Sequence, residues 1–376
     1  MLKLIHTGDI HLDSPFTLED AAKSEARRGE LRDAFHALTE YIRNEDIQLC
    51  LIAGDLFEHD YATRDTVAFI VSEFVRTPNC RFVISPGNHD PYTIDGIYDK
   101  TEFPENVFIF KESSPSRFDF PELGCSVYGY AFTSQHMSSN PLAGVRPVDP
   151  DAINIACAHA DVLSPISKYC PMTERDIAES GFDYVALGHI HNSRGIKCEN
   201  GTYYAYCGCL EGRDYSESGY KGAIAGTISK SGGSASVALR GVRFSRRRYA
   251  DERLNVTGFS DISEVRESLS SLVEKNGYGG DTLLRVTFEG SVSPDLRISP
   301  SALYPATAGL YSFEMRDDTM PLFDMDKLMR DNTIRGAFFR RLLPDLQHGT
   351  SDEREVAAEA LRYGFGALDG ADIIDF

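Results

Sequence analysis

The sequence predicts an α/β fold in which a covered β-sheet carries polar residues at the ends of its strands. Two observations support this fold class. Short apolar runs that end in glycine or polar residues recur through the first 191 of the 376 residues, as expected for buried strands. Amphipathic helical patterns lie between the first of these runs. The predicted strands cover residues 2–5, 49–53, 82–84, 153–157 and 184–187.

Two helices are predicted between the first three strands. Residues 25–43 carry apolar side chains at spacings of three and four, and residues 63–76 repeat the pattern. Thr63 and Thr66 are both candidate N-caps of the second helix. This alternation is typical of an open α/β sheet, which binds ligands at the carboxyl ends of its strands.

A polar stretch follows each of the five predicted strands. Together these stretches supply carboxylate, amide and imidazole groups, which suit hard to borderline divalent metals. A single histidine, or an aspartate beside glycine, is usually an ordinary core, surface or turn residue. Here that interpretation would have to hold at seven positions at once, so a metal site is predicted. The stretches are residues 8–11 (GDIH), 54–55 (GD), 87–90 (GNHD), 158–160 (AHA) and 188–191 (GHIH).

In this order the five stretches resemble those of the calcineurin-like metallophosphoesterase superfamily, and the resemblance covers about residues 1–245. The opening residues 6–13 (HTGDIHLD), residues 54–57 (GDLF) and the C-terminal extension are most similar to its DNA repair exonuclease branch, of the SbcD, Mre-type and YhaO-like kind. The resemblance implies a four-layer α-β-β-α sandwich with a small C-terminal α+β extension. It also implies a two-metal-dependent phosphodiester hydrolase, most similar to a DNA exonuclease or endonuclease.

The resemblance further implies which side chains hold the two divalent ions. Asp55 matches the shared bridge, because two ions about 3.5–4 Å apart need an anion between them. A bridging water or hydroxide would then be the nucleophile. Mn²⁺ is implied, and Fe²⁺ or Zn²⁺ would suit the same ligands. One ion would be completed by Asp9, His11 and His191. The other would be completed by Asn88, His159 and His189.

Four further residues near these positions carry expectations. His89 matches the family residue that faces the scissile phosphate, where it would donate a proton to the leaving oxygen or stabilise charge in the transition state. Asp90 is expected to orient a neighbour, as carboxylates that fix histidine tautomers do. Glu58 departs from the Mre-type pattern, in which a histidine often follows Asp-Leu-Phe. Either the His59 side chain turns into the site in place of that histidine, or the chain binds and cleaves DNA differently.

Composition leaves the substrate open. A formal charge of −19 argues against general affinity for nucleic acid, which usually needs a basic surface. Two divalent ions would offset about four charges at the site itself. The acidity and Glu58 favour a metallophosphoesterase acting on a small phosphodiester, a nucleotide or a phosphoprotein. A scaffold without activity is disfavoured by the complete ligand set. The short basic runs at residues 246–248 and 340–341 are more typical of a solvated face than of a phosphate site.

The sequence predicts three regions: a catalytic domain over residues 1–245, a small cap or substrate-selection domain over 246–330, and a helical segment over 331–376. Short strands are predicted at 203–207, 223–228 and 235–244, with a hairpin turn at 229–234. In the C-terminal regions, helices are predicted at 262–273, 334–346 and 352–368, and a strand at 283–288.

The last two helices need a surface to pack on, because isolated helices of about 12–15 residues are marginal in water. This surface is either the chain's own fold or a partner. The resemblance implies a coiled-coil ATPase of the SMC kind, and a homodimer is a further possibility. No apolar run approaches the roughly 20 residues that span a bilayer. The opening residues do not form a signal peptide, and most cysteines lie in predicted strands, so a cytoplasmic protein is expected.

Overall fold

The computed structural model describes residues 1–368 except residues 17, 19, 294, 295 and 323. The chain forms two compact units, of which the first is Met1–Arg248 and the second begins at Tyr249. The strands of the described residues are β1 (Leu2–Thr7), β2 (Leu49–Ile52), β3 (Arg81–Ile84), β4 (Val107–Ile109), β5 (Ser116–Phe120), β6 (Cys125–Gly129), β7 (Ile153–His159), β8 (Tyr184–Gly188), β9 (Lys197–Glu199), β10 (Thr202–Tyr206), β11 (Gly222–Ser231), β12 (Ser234–Arg243), β13 (Arg248–Asn255), β14 (Thr282–Val292) and β15 (Ser312–Pro321). Their α-helices are α1 (Ala21–Asn44), α2 (Arg64–Val75), α3 (Ile97–Lys100), α4 (Glu174–Ala178), α5 (Ile262–Lys275), α6 (Pro300–Thr307), α7 (Met325–Arg330), α8 (Ile334–His348) and α9 (Ser351–Leu368).

The first unit contains two six-stranded mixed sheets. The first sheet has the order β12-β11-β1-β2-β3-β4, and the second has the order β5-β6-β7-β8-β10-β9. Strands β1 to β4 are parallel to one another, as are β6, β7, β8 and β10. The carboxyl ends of β1, β2 and β3 therefore share one edge of the first sheet, and those of β7 and β8 share one edge of the second. All five predicted strands are confirmed.

The two sheets stack face to face between outer layers of helix and loop. Side chains of a strand alternate between its two faces. Leu4 accordingly packs against Ile155 of the second sheet in one apolar cluster. Its neighbour Ile5 packs on the other face in a cluster with Phe35 of α1. The outer face of the second sheet is covered by Ile177 of α4 and by the loops around it. The predicted four-layer sandwich is confirmed.

Local side-chain contacts set where the predicted helices begin. Helix α1 starts four residues earlier than predicted, because Asp20 caps it by accepting a hydrogen bond from the backbone N–H of Ala22. Thr63 is the N-cap of α2 and accepts from the Thr66 backbone N–H at 3.2 Å. The hydroxyls of Thr66 and Thr63 both donate to Asp13 Oδ2, at 2.5 Å and 3.1 Å. The sequence left the two threonines equivalent, and the backbone N–H that Thr63 accepts identifies it as the N-cap.

The hairpin between β11 and β12 is tighter than predicted. The two strands stay paired as far as Ser231 and Ser234. Only Gly232 and Gly233 remain for the turn, and both have positive φ, at +57° and +78°. A two-residue turn of this kind matches the twist of the flanking strands.

The second unit is an α+β assembly with a three-stranded sheet of order β13-β14-β15. Strands β14 and β15 are parallel, and α5 packs on this sheet through Val265 and Leu269. Helices α7, α8 and α9 share a separate apolar cluster that includes Phe339 and Leu361. The predicted helices and strand of this region are confirmed. The division at residue 330 stays a prediction. No helix among the described residues has the length and apolarity needed to cross a membrane.

Candidate metal centre

The described structure brings the predicted site residues together at the carboxyl ends of β1, β2, β3, β7 and β8. Three groups of side chains could each hold a metal ion, and within each group the candidate ligand atoms lie within 4.8 Å of one another. The groups are Asp9 with His11 and His191, Asp9 with Asp55 and His159, and His11 with Glu58 and His89. All of these residues are buried or half-buried except His89. Five strand ends that lie far apart in sequence therefore meet at one place.

The backbone at this edge is held in an uncommon conformation. Asp9, His11 and Asp55 have φ near +50°, and His189 has φ +99°. Such residues cost roughly 1–3 kcal/mol each, and they persist where the surroundings over-determine them. Here the turn after β1 is tied to the turn after β2, since the Asp9 N–H donates to Gly54 O at 3.0 Å and the His11 N–H donates to Asp55 O at 2.9 Å. The strain lies at the residues that carry the candidate ligands.

The first group presents two imidazole nitrogens to each other. The Nε2 atoms of His11 and His191 are 3.3 Å apart. His11 Nδ1 lies 3.0 Å from a Glu58 oxygen, and His191 Nδ1 lies 2.5 Å from a Glu217 oxygen. A carboxylate only accepts hydrogen bonds, so Nδ1 of His11 carries the hydrogen. At His191 the Glu217 oxygen is nearer to Nδ1, at 2.5 Å, than the Arg213 guanidinium nitrogen at 3.0 Å, so Nδ1 carries the hydrogen there too. The two Nε2 lone pairs then face each other, an arrangement that a shared cation stabilises.

Asp55 lies between the two predicted sets of ligands. Its Oδ2 atom is 3.6 Å from His11 Nε2 and 3.4 Å from His159 Nε2. Its Oδ1 atom accepts the backbone N–H of His89 at 2.9 Å. Burial opposes ionisation of this carboxyl, but the His159 and His11 imidazoles outweigh it and hold the Asp55 pKa at about 2. An ionised carboxylate in this position suits the bridging role.

The second set is arranged around His159. Its Nδ1–H donates a hydrogen bond to Ala53 O at 3.0 Å. The Nε2 atom therefore carries a lone pair that can bind a metal ion, and it lies 2.9 Å from the Asn88 amide oxygen. The His189 ring lies beside it, with centroids 5.2 Å apart. Burial and the neighbouring His159 lower the pKa of His189 to about 4. Neutral imidazole is the form that binds metals. The nitrogens of His189 lie outside the three compact groups.

Two glycines permit this close approach. A Cβ atom on Gly54 would lie 2.4 Å from His159 Nδ1, and Gly54 itself has φ +88°. A Cβ atom on Gly87 would lie 2.2 Å from Asp55 Oδ1. Glycine at these two positions therefore lets the turns after β2 and β3 lie close to the candidate ligands.

Asp90 orients the backbone of the neighbouring turns. It accepts backbone N–H groups of Gly87, Asp55 and Leu56 at 2.7–3.1 Å, and the Tyr98 hydroxyl at 2.5 Å. Asp90 therefore orients neighbours, as expected, through the backbone of Asp55 and Gly87, and no histidine is among its hydrogen-bond partners in the described structure. Burial, and then the charge of Asp55, raise the Asp90 pKa to about 7. Asp90 ties the turn after β3 to the turn after β2.

Glu58 is the carboxylate that holds two histidines of the site. One of its oxygens lies 3.0 Å from His11 Nδ1 and the other 2.7 Å from His89 Nδ1. Burial opposes its ionisation, but these two hydrogen bonds hold its pKa well below the usual range. The hydrogen bond to Glu58 is also the main reason why the His89 pKa is raised. The side chain of His59 is exposed. The Glu58 carboxylate therefore faces two imidazoles of the site.

Sequence reasoning missed two residues that lie beyond the last motif. Glu217 accepts from His191 and from the Arg213 backbone N–H at 2.7 Å. The Arg213 guanidinium lies 3.0 Å from His191 Nδ1, 3.8 Å from Glu58 and 3.2 Å from Glu217. Both residues follow the second sheet in a glycine-containing loop that has no apolar periodicity. No pattern in the sequence marks this loop as part of the site.

The donor set therefore fits two divalent ions. Its side chains are carboxylates, an amide oxygen and imidazoles whose Nε2 atoms converge, and acidic or carbonyl partners on Nδ1 fix the tautomers of His11, His159 and His191. Partners of this kind are typical of metal-binding histidines.

Comparison with known proteins agrees with this geometry. The family model for calcineurin-like phosphoesterases matches residues 2–193, half of the 376 residues. The uncharacterized metallophosphoesterase YhaO of Bacillus subtilis is 30% identical over 232 residues, 59% of this chain and 56% of YhaO. The DNA double-strand break repair protein Mre11 of Methanopyrus kandleri is 23% identical over 206 residues, 50% of this chain and 44% of that protein.

The chain thus spans about half the length of these curated relatives. The resemblance to YhaO-like and Mre-type proteins is confirmed. The chain belongs to the calcineurin-like phosphoesterase family, whose members use a dinuclear divalent metal site.

Proposed function

We propose that this protein is a two-metal-dependent phosphodiester hydrolase that cleaves DNA, as an exonuclease or endonuclease of the repair type. The observation that carries the proposal is the position of Asp55, whose Oδ2 atom lies within 3.6 Å of the Nε2 atoms of both His11 and His159. A buried carboxylate between two sets of metal-type donors is what a dinuclear phosphoesterase requires. The likeness to a protein named for DNA double-strand break repair supports DNA as the substrate.

Each side chain of the site has a place in this proposal. Two divalent ions, when bound, supply Lewis-acid stabilisation of the phosphate and lower the pKa of water. Asp55 would be shared between them, and Mn²⁺ is the proposed metal, with Fe²⁺ and Zn²⁺ as alternatives. One ion would be held by Asp9, His11 and His191. The other would be held by Asn88, His159 and His189.

His89 is the proposed catalytic acid. Its side chain is 44% exposed, whereas its backbone N–H is fixed by Asp55 at 2.9 Å. The ring can therefore reach a substrate while its backbone stays attached to the candidate bridge. With Nδ1 held by Glu58, Nε2 is the nitrogen that gives its proton to the leaving oxygen.

A second candidate function is hydrolysis of a small phosphodiester, a nucleotide or a phosphoprotein. The net charge of −19 favours a small substrate. Affinity for a DNA duplex comes largely from basic residues that neutralise its phosphates, and acidic residues outnumber basic ones here. If DNA is the substrate, the acidity favours a partner that provides a basic surface. We propose a coiled-coil ATPase of the SMC kind for this role, contacting the second unit. A homodimer and a cytoplasmic location are further parts of the proposal.

The test is an assay of the purified protein with Mn²⁺ on three substrates: linear duplex DNA, bis-p-nitrophenyl phosphate and p-nitrophenyl phosphate. We expect cleavage of DNA and of the aryl diester, little cleavage of the monoester, and loss of all activity in EDTA. Asp33→Ala is the matched control for an Asp55→Ala variant, since its side chain is 71% exposed on α1. Cleavage of the small diester without DNA would favour the second candidate, and activity that survives EDTA would contradict the metal-dependent mechanism.

A further inference from the structure

We propose that four arginines at the site-bearing edge of the first sheet bind the phosphate backbone of DNA beside the candidate metal centre. The four are Arg240, Arg243, Arg246 and Arg248, and we call them, together with Tyr220, the arginine edge. The inference rests on the proposed function, since it concerns how a DNA strand is held while one of its linkages is cleaved. It identifies residues that would favour DNA over a small phosphodiester.

The charge of the chain is distributed unevenly around this edge. The formal charge of the whole chain is −19, but residues 218–250 contain seven lysines and arginines and no aspartate or glutamate. Proteins that bind nucleic acids typically carry basic residues clustered on one face. A local excess of positive charge therefore occurs within an acidic chain.

Three of these seven cations are taken up by the fold of the first unit. Lys230 pairs with Asp183 at 2.8 Å, and Arg247 pairs with Glu30 at 2.8 Å. Lys221 is buried. The other four cations are those of the arginine edge, in which Arg240, Arg243 and Arg246 are exposed and Arg248 is half-buried.

Strand pairing places the arginine edge at the edge of the sheet that carries the metal centre. Strand β11 is antiparallel to β1 and begins near the carboxyl end of β1, where Ile224 pairs with His6. Strand β12 runs back along β11, and its last residue, Arg243, pairs with Gly222 at the start of β11. The end of β12 therefore lies at the edge where β1 presents its candidate ligands.

Hydrogen bonds connect this end of the hairpin to one candidate ligand. The Gly222 N–H donates to Cys209 O at 3.0 Å, and the Cys209 N–H donates to His191 O at 3.2 Å. The Lys221 side chain donates to Asn192 Oδ1, on the residue that follows His191. The start of β11 is thus anchored to the loop that carries a side chain of the metal centre.

Tyr220 orients two of the four arginines. The guanidinium carbon of Arg243 lies 3.3 Å from the centroid of the Tyr220 ring, and that of Arg248 lies 5.0 Å from it. A ring face holds a guanidinium without neutralising its charge. Arg246 lies 3.5 Å from Glu30, but its side chain is 63% exposed, and so exposed a pair is weak. Guanidinium groups suit phosphates, which they can bind through two parallel hydrogen bonds.

The arginine edge can act only on a substrate that extends beyond the cleaved linkage. An aryl diester has a single phosphate, which the proposed metal ions would hold. A DNA strand carries further phosphates beside the cleaved linkage, and each one that an arginine neutralises releases counterions and favours binding. Affinity for DNA should therefore depend on these arginines, whereas hydrolysis of a small diester should not.

The experiment measures binding by the Mn²⁺-loaded full-length protein, as fluorescence anisotropy of a labelled single-stranded phosphorothioate DNA, which resists cleavage and keeps its charge. The variant combines Arg240→Gln, Arg243→Gln and Arg246→Gln. Each phosphate contact in a single strand contributes about 0.7 to the slope of log K against log salt concentration. We expect the triple variant to bind more weakly and to lose about 2 from this slope, with metal content and kcat on bis-p-nitrophenyl phosphate unchanged.

Two single-residue comparisons sharpen the test. Arg175→Gln is the matched control for Arg243→Gln, because the Arg175 side chain is 83% exposed on α4, at the outer face of the second sheet. Only Arg243→Gln should lower the slope. Tyr220→Leu should weaken DNA binding, and Tyr220→Phe, which keeps the ring, should not.

An unchanged salt slope in the triple variant would overturn the inference and leave the arginine edge as a solvated or partner-covered surface. An equal loss in Arg175→Gln, or loss of metal or of aryl diester hydrolysis in the triple variant, would overturn it as well. These outcomes leave the proposed hydrolase intact if the wild type still cleaves its substrates. A metal-loaded wild-type protein that cleaves neither DNA nor the aryl diester would instead contradict the proposed function itself.

Discussion

The two units of the chain differ in whether they bury charged side chains. In the first unit Asp9, His11 and Asp55 are at most 1% exposed, although each carries or can carry a charge. In the second unit the ion pair of Arg253 with Glu289 joins side chains that are 75% and 35% exposed. Surface pairs of this kind contribute little to stability. Buried charges are costly unless they are paired or bind metals.

The difference indicates where the chemistry lies. All groups of candidate donor atoms found among the described residues belong to the first unit. They are held there by turns with positive φ, by glycines that allow close approach, and by carboxylates that accept from the histidine Nδ1 atoms. The described part of the second unit shows ordinary packing around two apolar clusters. We therefore assign catalysis to the first unit, and we propose that the second selects substrates or partners.

The largest effect is expected at the candidate bridge. Asp55→Ala should lose both ions and reduce hydrolysis to the detection limit, because the two charges would lack an anion between them. His191→Ala should weaken mainly one ion. Elemental analysis of the purified variants measures both results, with the exposed Asp33→Ala as control. Full metal occupancy in Asp55→Ala would show that the bridge is assigned wrongly.

The next effect is expected at the catalytic acid. His89→Ala should keep its metals and lower kcat on DNA about 10²–10⁴-fold, the usual contribution of a general acid. His36→Ala is a matched control, since His36 is a half-exposed histidine on α1 that pairs with Glu73. Loss of metal from the His89 variant would identify His89 as a ligand, and unchanged turnover would leave it without a chemical role.

A smaller and more selective effect is expected when the chain is cut after residue 330. The apolar cluster around α5, β14 and β15 stays complete, whereas the one shared by α7, α8 and α9 keeps only Leu328. We expect normal metal content and normal cleavage of bis-p-nitrophenyl phosphate, with at least about tenfold lower activity on long DNA or loss of a partner in a pull-down. An insoluble, metal-free product would show that these helices belong to the core.

The smallest effect is expected at a helix cap of the second unit. The Ser299 hydroxyl accepts the Ala302 N–H at 3.3 Å and caps α6. Ser299→Ala should lower the free energy of unfolding by about 1 kcal/mol, measured with urea, and leave metal content and hydrolysis unchanged. Thr63→Ala, at the cap of α2, is the counterpart in the first unit. A change in metal content with Ser299→Ala would contradict the assignment of the chemistry to the first unit alone.

The α/β class and the convergence of polar side chains at the strand ends could be predicted because both follow from local pattern. The four-layer sandwich and the two sets of candidate ligands were predicted from the family resemblance. Buried strands have apolar runs, and ligands at strand ends stand beside glycine. Sequence reasoning did not predict β15, since a strand that contains Arg316, Asp317 and Asp318 has no apolar run. Nor did it predict that Asp90 binds backbone groups while Glu58 binds histidines, because these partners are set by three-dimensional contact. Glu217 and Arg213 were not predicted for the same reason.

The central claim is that Asp55 separates two bound divalent ions. The most direct test is anomalous diffraction, recorded at the manganese absorption edge, from crystals of the protein grown with Mn²⁺. We predict two peaks about 3.5–4 Å apart, one on each side of the Asp55 carboxylate. The first should lie against Asp9, His11 and His191, and the second against Asn88, His159 and His189. A single peak, or a peak enclosed by His11, Glu58 and His89, would contradict the account.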